Sequence, residues 1–474
     1  MSRALLLSAF IIFFIRSGLA QSSLTGTWTG NIMGIRLVFH FSTVSGKPEG
    51  TMDSPQQNAM GLPLQEITVR DDSVLCLMHT PAIRYAASRT NDSTLSGTWF
   101  QSGRSFPLTI HRLDDSAARA YAPPPRPQTP HPPYPYHSDS VEYDNTGKTV
   151  HLGATLTYPE KGGPFPAAIL ITGSGIQDRD ETLFGHRPFA VIADYLTRRG
   201  YAVLRVDDRS AGLSTGDVTD ATSADFAGDV ETSLAWLKTR KEIDPKKIGL
   251  IGHSEGAMIA PMVASRRKDI AFIISLAGPL SGYTTVMYQV RTPMQHSHAA
   301  AQDIHDVLTK QRIVLDNVMK ASDSAAFMKG VDSDYRRYCD TVPDSLKPKL
   351  STLVAPAIFT AALAPQARVL LSPWYRFFIR YDATPYYSKV KCPVLLLGGE
   401  KDIQVHNAAD MPAIAAILRE HGNHRVETRL LTGLNHLFQH CHSCTVMEYG
   451  KLEETFAPEA LEVMGDWLDK IRRN

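Results

Sequence analysis

The sequence predicts an α/β protein with a mostly parallel, doubly wound sheet, preceded by a small all-β domain and interrupted by a helical cap. Residues 22 to about 113 alternate apolar and polar positions with a period of two, which is typical of strands. From about residue 140, short apolar strands alternate with amphipathic helices, the pattern of a parallel sheet covered on both faces. The stretch from about 282 to 391 breaks this alternation and is mostly helical in pattern.

Length and charge limit the classes of function. The chain has 474 residues, 43% of them hydrophobic and 20% charged, which are ordinary values for globular domains. Lys and Arg number 49 against 48 Asp and Glu, so there is no basic excess to pair with phosphates. The composition therefore predicts no nucleic-acid partner, and it leaves the oligomeric state open.

The first twenty residues have the pattern of a secretory signal peptide. Arg3 precedes an apolar run from 4 to 15, and small residues at 18–20 suit a cleavage site. An uncleaved anchor is the alternative, but the run is shorter than the roughly 20 residues that a spanning helix needs. We expect residues 1–20 to be removed and the mature chain to be periplasmic or extracellular, with no membrane span after cleavage.

The next region, residues 21–115, is predicted as the small β-domain. Apolar and polar residues alternate from Ile35 to Ser42, and turn-like clusters separate the runs. The sequence Leu24 to Trp28 is echoed by Leu95 to Trp99. We expect these two motifs to mark the first strand and a late strand of one barrel or sandwich.

A Pro-rich segment is predicted as a linker over residues 116–137. Eight prolines lie between 123 and 135, a density that favours polyproline II and a semi-rigid spacer. A Pro-rich motif that binds a partner is the alternative interpretation.

Residues 138–474 are predicted to form the α/β domain. Strands are expected at 167–172, 201–207, 248–252, 271–276, 394–397 and 426–431. Helices are expected from Pro188, from a cap at Ser223, from Glu255, and from Pro458 to Ile471. The insertion at about 282–391 lies between two strands, so we expect it above the sheet. A lid over the active site and a passive packing subdomain are its two interpretations.

The strongest chemical signal is G-x-S-x-G at Gly252 to Gly256. This motif places a serine on a tight turn between a strand and a helix, so that the Oγ atom stands clear of the sheet. Here the motif follows an apolar strand and precedes a predicted helix. The sequence therefore predicts Ser254 as a nucleophile, with a plain structural turn as the alternative.

A serine needs a base, and the base needs an acid to orient it. In this motif's usual order the acid and then the histidine follow the serine. Asp402 follows the predicted strand 394–397 and is the first choice of acid, with Glu400 and Asp410 as rivals.

His436 is the candidate base. It lies in a loop after the strand 426–431 and before the last helix, where Gly433 and Asn435 permit a tight turn. The rival histidines are His424, His440 and His442. His253, beside the serine, is expected to point away from the reacting atoms.

An acyl-transfer site also needs donors for an oxyanion. The backbone N–H of Glu255, the residue after the nucleophile, is the first predicted donor. The second is predicted in the Gly-rich loop after the strand 167–172, at Ser174 or, failing that, Gly175. A phosphate cradle is the alternative for this loop, but it lacks the lysine and spacing of a P-loop.

Five cysteines are present, an odd number that leaves at least one thiol without an intramolecular partner. Cys441 and Cys444 form a C-x-x-C pair, for which a local disulfide or two free thiols is expected. Zinc is the less favoured alternative, because only one such pair exists.

Several motifs together resemble a known family. The segment 252–256, the order serine–acid–histidine and the segment Asp207 to Ser214 resemble the α/β-hydrolase superfamily. The segment Gly173 to Glu181 is similar to exported bacterial hydrolases with a small N-terminal β-domain, described as esterases or relatives of prolyl-oligopeptidases and serine aminopeptidases. Many relatives have glycine where this chain has Ser210, which puts one turn in question.

This resemblance implies hydrolysis of a small-molecule carboxylic ester, without cofactor or metal, by Ser254, His436 and Asp402. It also implies that Asp178, Arg179 and Asp180 are structural ion partners. A serine peptidase of the prolyl-oligopeptidase or aminopeptidase type is the alternative. The N-terminal region of about 90 residues is too short for the propeller of such peptidases, at roughly 40–50 residues a blade. A third possibility is a binding protein on an inactive scaffold, against which the intact set of three residues argues.

Overall fold

A computed structural model describes residues 24–473, except 45, 58, 79–82, 102 and 123. These residues form two compact units that divide between 123 and 124. The predicted signal peptide lies outside the described residues. Within the described part of the chain, no helix has the length and apolar character needed to cross a membrane.

The first unit is an antiparallel sheet. Its strands are β1 (Gly26–Ile32), β2 (Ile35–Val44), β3 (Lys47–Ser54), β4 (Ala59–Pro63), β5 (Glu66–Arg70), β6 (Ser73–Met78), β7 (Ile83–Asn91), β8 (Thr94–Gln101) and β9 (Arg104–Arg112). Their order is β4-β3-β2-β1-β9-β8-β7-β6-β5. The sheet curls so that β5 approaches β3: a Cβ on Gly50 of β3 would lie 3.2 Å from the side chain of Ile67 in β5.

Alternating apolar side chains build the core of this unit. Trp28 of β1 pairs with Phe39 of β2, and Trp99 of β8 pairs with Tyr85 of β7; all four side chains are buried. The two similar sequence motifs therefore lie in strands of one sheet. The unit ends with the short helix α1 (Asp115–Ala118), which Asp114 caps, and a 3-10 turn at Arg119–Tyr121.

The Pro-rich segment was predicted as a spacer, but its side chains attach it to the second unit. Residues from 124 onward belong to the second unit, and β10 begins within the predicted linker, at Tyr136. Arg126 donates to the carbonyl oxygens of Leu452 (2.6 Å) and Gly450 (2.8 Å). Gln128 Nε2 donates to Phe456 O at 2.6 Å. These side-chain contacts, which composition does not reveal, hold the segment against its own unit.

The second unit contains a mixed sheet. Its strands are β10 (Tyr136–Asp144), β11 (His151–Pro159), β12 (Phe165–Ile171), β13 (Ala202–Val206), β14 (Ile243–His253), β15 (Ile273–Leu276), β16 (Val394–Gly399) and β17 (Val426–Leu431). Their order is β10-β11-β13-β12-β14-β15-β16-β17. The pairs β10–β11 and β11–β13 are antiparallel, and the pairs from β13 to β17 are parallel.

The helices of this unit are α2 (Pro188–Arg198), α3 (Ser223–Leu237), α4 (Glu255–Arg266), α5 (Gly282–His296), α6 (Ala301–Lys320), α7 (Ser324–Thr341), α8 (Pro356–Leu363), α9 (Ala367–Leu370), α10 (Pro373–Arg380), α11 (Thr384–Tyr387), α12 (Asn407–Glu420), α13 (Val446–Tyr449) and α14 (Pro458–Arg473). Side chains of successive strand residues enter two different hydrophobic clusters. In β12, Ile169 joins the cluster with α3, α4 and α12, whereas Leu170 joins the cluster with α2 and α14.

Helices α5 to α11 lie between β15 and β16, at the predicted insertion. Their apolar residues join the cluster that contains α3 and α4. One predicted boundary is wrong: the cap of α3 is Thr222 and not Ser223. Thr222 and Asp225 form a reciprocal capping box, in which Thr222 N–H donates to Asp225 Oδ2 at 2.8 Å.

Candidate functional site

Ser254 stands on the turn between β14 and α4. Its backbone has φ 53° and ψ −111°, a strained conformation for a residue with a side chain. The flanking glycines are required by close packing. A Cβ on Gly252 would lie 2.1 Å from Gly256 O, and one on Gly256 would lie 2.1 Å from Ile171 O. The turn thus lifts the Ser254 side chain, which is partly exposed, above the end of the sheet.

Asp402 and His436 form a buried hydrogen-bonded pair. His436 Nδ1 lies 2.8 Å from Asp402 Oδ2, and the two residues are only 4% and 3% exposed. A carboxylate accepts here, so the proton is on Nδ1 and Nε2 carries a lone pair. Asp402 follows β16 and His436 follows β17, so both lie at the strand ends that also present Ser254.

The Asp402 carboxylate is held on both oxygens. Oδ1 accepts from the N–H groups of Gln404 (2.7 Å) and Val405 (2.9 Å). Asn407 Nδ2 donates to Oδ2 at 2.9 Å, beside the bond from His436. Four donors therefore fix the position and orientation of the carboxylate.

The loop that presents His436 is built by the wholly buried side chain of Asn435. Asn435 Oδ1 accepts from the N–H groups of Leu437 (2.9 Å) and Gln439 (3.0 Å). Gly433 has φ 79°, a conformation that favours glycine, in agreement with the tight turn predicted.

The rival residues lie elsewhere. Glu400 is exposed and accepts from Gly433 N–H at 3.1 Å. Asp410 accepts from Leu280 N–H at 3.2 Å. His440 lies between Glu454 and Glu459, with both distances 3.0 Å. His424 and His442 are exposed. Among the predicted candidates, the geometry brings Asp402 to His436.

The predicted oxyanion loop adjoins the nucleophile. A Cβ on Gly173 would lie 3.4 Å from Ser254 Cβ. Ser174 and Gly175 are exposed, and Gly175 has φ 101°. Glu255 is the first residue of α4, so its N–H has no partner within the helix. The loop that starts at Gly173 and the first residue of α4 thus both adjoin Ser254.

Glu181 is a buried residue of the site whose contacts the sequence did not reveal. Its Oε1 accepts from Gly173 N–H at 2.7 Å and lies 2.9 Å from His253 Nδ1. His253 Nε2 in turn lies 3.1 Å from His436 O. Burial lowers the pKa of His253, but the Glu181 carboxylate outweighs it and leaves the pKa raised. Through His253, Glu181 therefore links the oxyanion loop to the His436 loop.

The Glu255 side chain is a second buried connection. Its Oε1 accepts from Ser223 Oγ at 2.6 Å and from Trp374 Nε1 of α10 at 2.8 Å. The Ser174 hydroxyl also bonds to this carboxyl, whose pKa burial raises. These bonds fix the first turn of α4, and therefore the direction of the Glu255 N–H.

The segment after the oxyanion loop is held by ion pairs, as predicted for two of its residues. Arg179 Nε lies 3.0 Å from Asp207 Oδ1, and Asp180 pairs with Arg205. Asp178 instead caps the turn by accepting from Asp180 N–H at 3.0 Å.

Two further residues shape the next loop. Ser210 has φ 63°, a backbone conformation that favours glycine. Burial raises the pKa of Asp208 to about 8, although its carboxyl accepts from Thr172 Oγ1 (2.7 Å) and Gln177 N–H (2.9 Å). Asp208 is therefore largely protonated at neutral pH.

Cys441 and Cys444 form a disulfide. Their sulfurs and Glu448 are a possible metal-binding group among the described residues, but sulfurs joined in a disulfide offer no thiolate. The local disulfide, rather than zinc, is the outcome for this C-x-x-C pair.

Comparison with known proteins fits this geometry. The family model described as X-Pro dipeptidyl-peptidase (S15 family) matches residues 147–413, more than half of the chain. The chain belongs to the S15 family. The matched region contains Ser254 and Asp402, whereas His436 lies beyond its end. The predicted relationship to α/β-hydrolases and serine peptidases is thereby confirmed.

Curated relatives match this S15 family member over a shorter region. The esterase EstD of Thermotoga maritima is 33% identical over 149 residues, which are 31% of this chain and 36% of the relative. An acyl transferase of Vibrio harveyi is 30% identical over 135 residues, 28% of this chain and 40% of the relative. The chain thus spans less than half of the length of these relatives.

Solved structures with a similar fold include an esterase of Pyrococcus furiosus, with 18% identity and a TM-score of 0.40 over 71% of this chain and 91% of that one. The α/β hydrolase GrgF of a Penicillium species has 17% identity and a TM-score of 0.42 over 71% of this chain and 100% of that one.

Proposed function

We propose that this S15 family member is a serine hydrolase that cleaves carboxylic esters through an acyl-enzyme intermediate on Ser254. The observation that supports the proposal most strongly is the His436–Asp402 bond of 2.8 Å at the strand ends that present the strained Ser254 turn. The matched esterase EstD agrees with an ester substrate.

The reaction begins when His436 Nε2 accepts the Ser254 hydroxyl proton as Oγ attacks the ester carbonyl carbon. Asp402 keeps the Nδ1 proton in place and stabilises the imidazolium that forms. His436 then donates its proton to the leaving alcohol. Water, activated by the same histidine, releases the acyl group.

The negative charge on the tetrahedral oxygen needs preorganised donors. We assign the Glu255 N–H and the Ser174 N–H to this role, with Gly175 N–H as the alternative for the second donor. Gly173 N–H is excluded because it donates to Glu181 at 2.7 Å.

A serine peptidase is the second candidate, which the S15 family match favours. An aminopeptidase needs an anion to bind the substrate's ammonium group. Beside the oxyanion loop, Glu255 is buried and Asp208 is half-buried, and both carboxyls are already hydrogen-bonded and have a raised pKa. Carboxyls whose oxygens already accept hydrogen bonds and whose pKa is raised attract an ammonium group weakly, which supports the ester over the peptide.

We further propose that the chain is exported and that helices α5 to α11 act as a cap over the site. The signal-like residues 1–20 and the Cys441–Cys444 disulfide suit an oxidising compartment. Trp374 of α10 reaches Glu255 beside the nucleophile, which gives the inserted helices a direct contact with the site.

The test compares the chain from Gln21 with its Ser254→Ala variant on p-nitrophenyl acetate, butyrate and hexanoate, and on alanyl- and prolyl-p-nitroanilides. We expect ester turnover that falls at least 1,000-fold in Ser254→Ala, since removing a triad residue costs at least that. Faster anilide than ester turnover would favour the peptidase. No turnover and no labelling of Ser254 by a fluorophosphonate would reject both.

A further inference from the structure

An apolar hollow lies beside the oxyanion loop. It has a volume of about 170 Å³ and is lined by Gly175 and Ile176 of that loop, by Val218 and Ala221, by Phe226 of α3 and by Trp374 of α10, with Asp208 and Arg209 beside them. Which ligand this hollow takes depends on the ester hydrolysis proposed above.

The charged groups at the hollow are already partnered. Arg209 Nη2 lies 2.9 Å from Asp229 Oδ1, and a second contact joins the same two side chains through Arg209 Nε. The Asp208 carboxyl accepts from Thr172 and Gln177, and burial raises its pKa. What the hollow offers a ligand is therefore mainly the carbon surface of its aliphatic and aromatic side chains.

The order of the strands shows on which side of Ser254 the hollow lies. Ser254 follows β14, and the strands toward one edge of the sheet lead to Asp402 and His436. The hollow lies toward the other edge, because Gly175 and Ile176 follow β12, and Asp208 and Arg209 follow β13.

Since His436 must protonate the departing alcohol, the leaving group belongs on the side of β16 and β17. The carbonyl oxygen points to the N–H groups of Glu255 and the oxyanion loop. The remaining substituent of the carbonyl carbon, the acyl group, is then directed toward β12 and β13, where the hollow lies.

Trp374 is a fixed wall of this hollow. Its indole N–H donates to Glu255 Oε1 at 2.8 Å, and its ring stacks on Phe378 with centroids 5.6 Å apart. The backbone N–H of Glu255 is also the predicted oxyanion donor. Glu255 therefore holds both the carbonyl oxygen of the substrate and the Trp374 ring, and so sets the distance between the reacting carbon and this wall. A fixed wall limits the size of the acyl group.

The volume sets that size. A cavity of about 150 Å³ lined by aliphatic and aromatic side chains binds one benzene molecule. We propose that the hollow is the acyl pocket of this protein and that it takes one apolar acyl group the size of a single aromatic ring, such as a benzoyl or hexanoyl group. Two fused rings exceed it.

The test fills the pocket from a residue outside the catalytic machinery. Val218→Trp, with Val369→Trp on the exposed face of α9 as the matched control, is assayed on p-nitrophenyl acetate, hexanoate, benzoate and 2-naphthoate. We expect the unmodified chain to prefer benzoate over 2-naphthoate by at least tenfold in kcat/KM. Val218→Trp should lose at least tenfold on benzoate and hexanoate but less than threefold on acetate, with no change in the control.

Phe226→Ala, which enlarges the hollow, should raise the relative turnover of 2-naphthoate. Val218→Trp would overturn the pocket assignment if it lost equal activity on acetate and benzoate, or lost none on either. If ester turnover still depended on Ser254 in that case, the proposed function would stand without the pocket. A changed preference among acetates of different alcohols, with acyl preference unchanged, would overturn the assignment to the acyl side. If the unmodified chain has no ester turnover, the failure is that of the proposed function.

Discussion

Replacement of Asp402 by Asn is the sharpest test of how the site holds its histidine. The carboxylate accepts from four donors: two backbone N–H groups at Oδ1, and Asn407 Nδ2 and His436 Nδ1 at Oδ2. If the amide oxygen of Asn stays with the backbone donors, its NH₂ group faces His436. Nδ1 must then accept, the proton moves to Nε2, and Nε2 no longer takes the proton of Ser254.

The size of this effect follows from losing the base while the geometry is kept. In serine hydrolases the change to the wrong tautomer lowers kcat about 10⁴-fold. That factor corresponds to about 5 kcal/mol in the activation barrier. Because Asp402 lies behind the histidine and not against the substrate, we expect KM to change less than threefold.

The assay is kcat and KM on p-nitrophenyl acetate, with near-ultraviolet circular dichroism to confirm that the variant is folded. Glu400→Gln is the matched control, since Glu400 lies in the same loop but accepts from Gly433 instead; it should keep at least a third of kcat. A folded Asp402→Asn variant that retained a tenth of the activity would refute the assignment of the acid.

Three further predictions concern groups around the nucleophile. Glu181→Gln should lower the free energy of unfolding by about 3 kcal/mol at pH 6 and by less at pH 9, because the raised pKa of His253 makes the Glu181–His253 pair contribute most at low pH. Urea unfolding at both pH values measures the two losses, and equal losses would contradict the prediction. Asp208 is protonated when folded up to about pH 8 and ionised when unfolded above about pH 4, so it makes the fold less stable as pH rises between these values. Between pH 5 and pH 8, Asp208→Asn should reduce the fall in the free energy of unfolding by up to about 4 kcal/mol. If the urea midpoint changed with pH as steeply in the variant as in the unmodified chain, this prediction would be wrong. Gly256→Ala places a Cβ 2.1 Å from Ile171 O and should lower the free energy of unfolding by at least about 3 kcal/mol or prevent folding. A variant with the urea midpoint and activity of the unmodified chain would contradict this prediction.

The local sequence predicted much of the second unit because each element carries its own pattern. The strand Val426–Leu431 has the predicted bounds, and β14 extends the predicted strand in both directions. The last helix begins at the predicted Pro458 but ends at Arg473 instead of Ile471. The candidates Ser254, Asp402 and His436 could be chosen because each follows a strand in a known order.

What the sequence did not reveal depends on contacts between distant residues. Glu181 lies 72 residues from His253, and Trp374 lies 119 residues from Glu255, so no spacing rule links either pair. The attachment of the Pro-rich segment is similar: Arg126 binds carbonyl groups more than 320 residues away. Composition could not indicate what the side chains of this segment bind.

The most direct test of the central claim is to trap the acyl group. The chain is mixed with p-nitrophenyl benzoate, quenched in acid within the first turnover, digested and examined by mass spectrometry. The account predicts a benzoyl group on Ser254, and none on the corresponding peptide of Ser254→Ala, which should also show no burst of p-nitrophenol. A benzoyl group on another residue, or a burst that survives in Ser254→Ala, would contradict it.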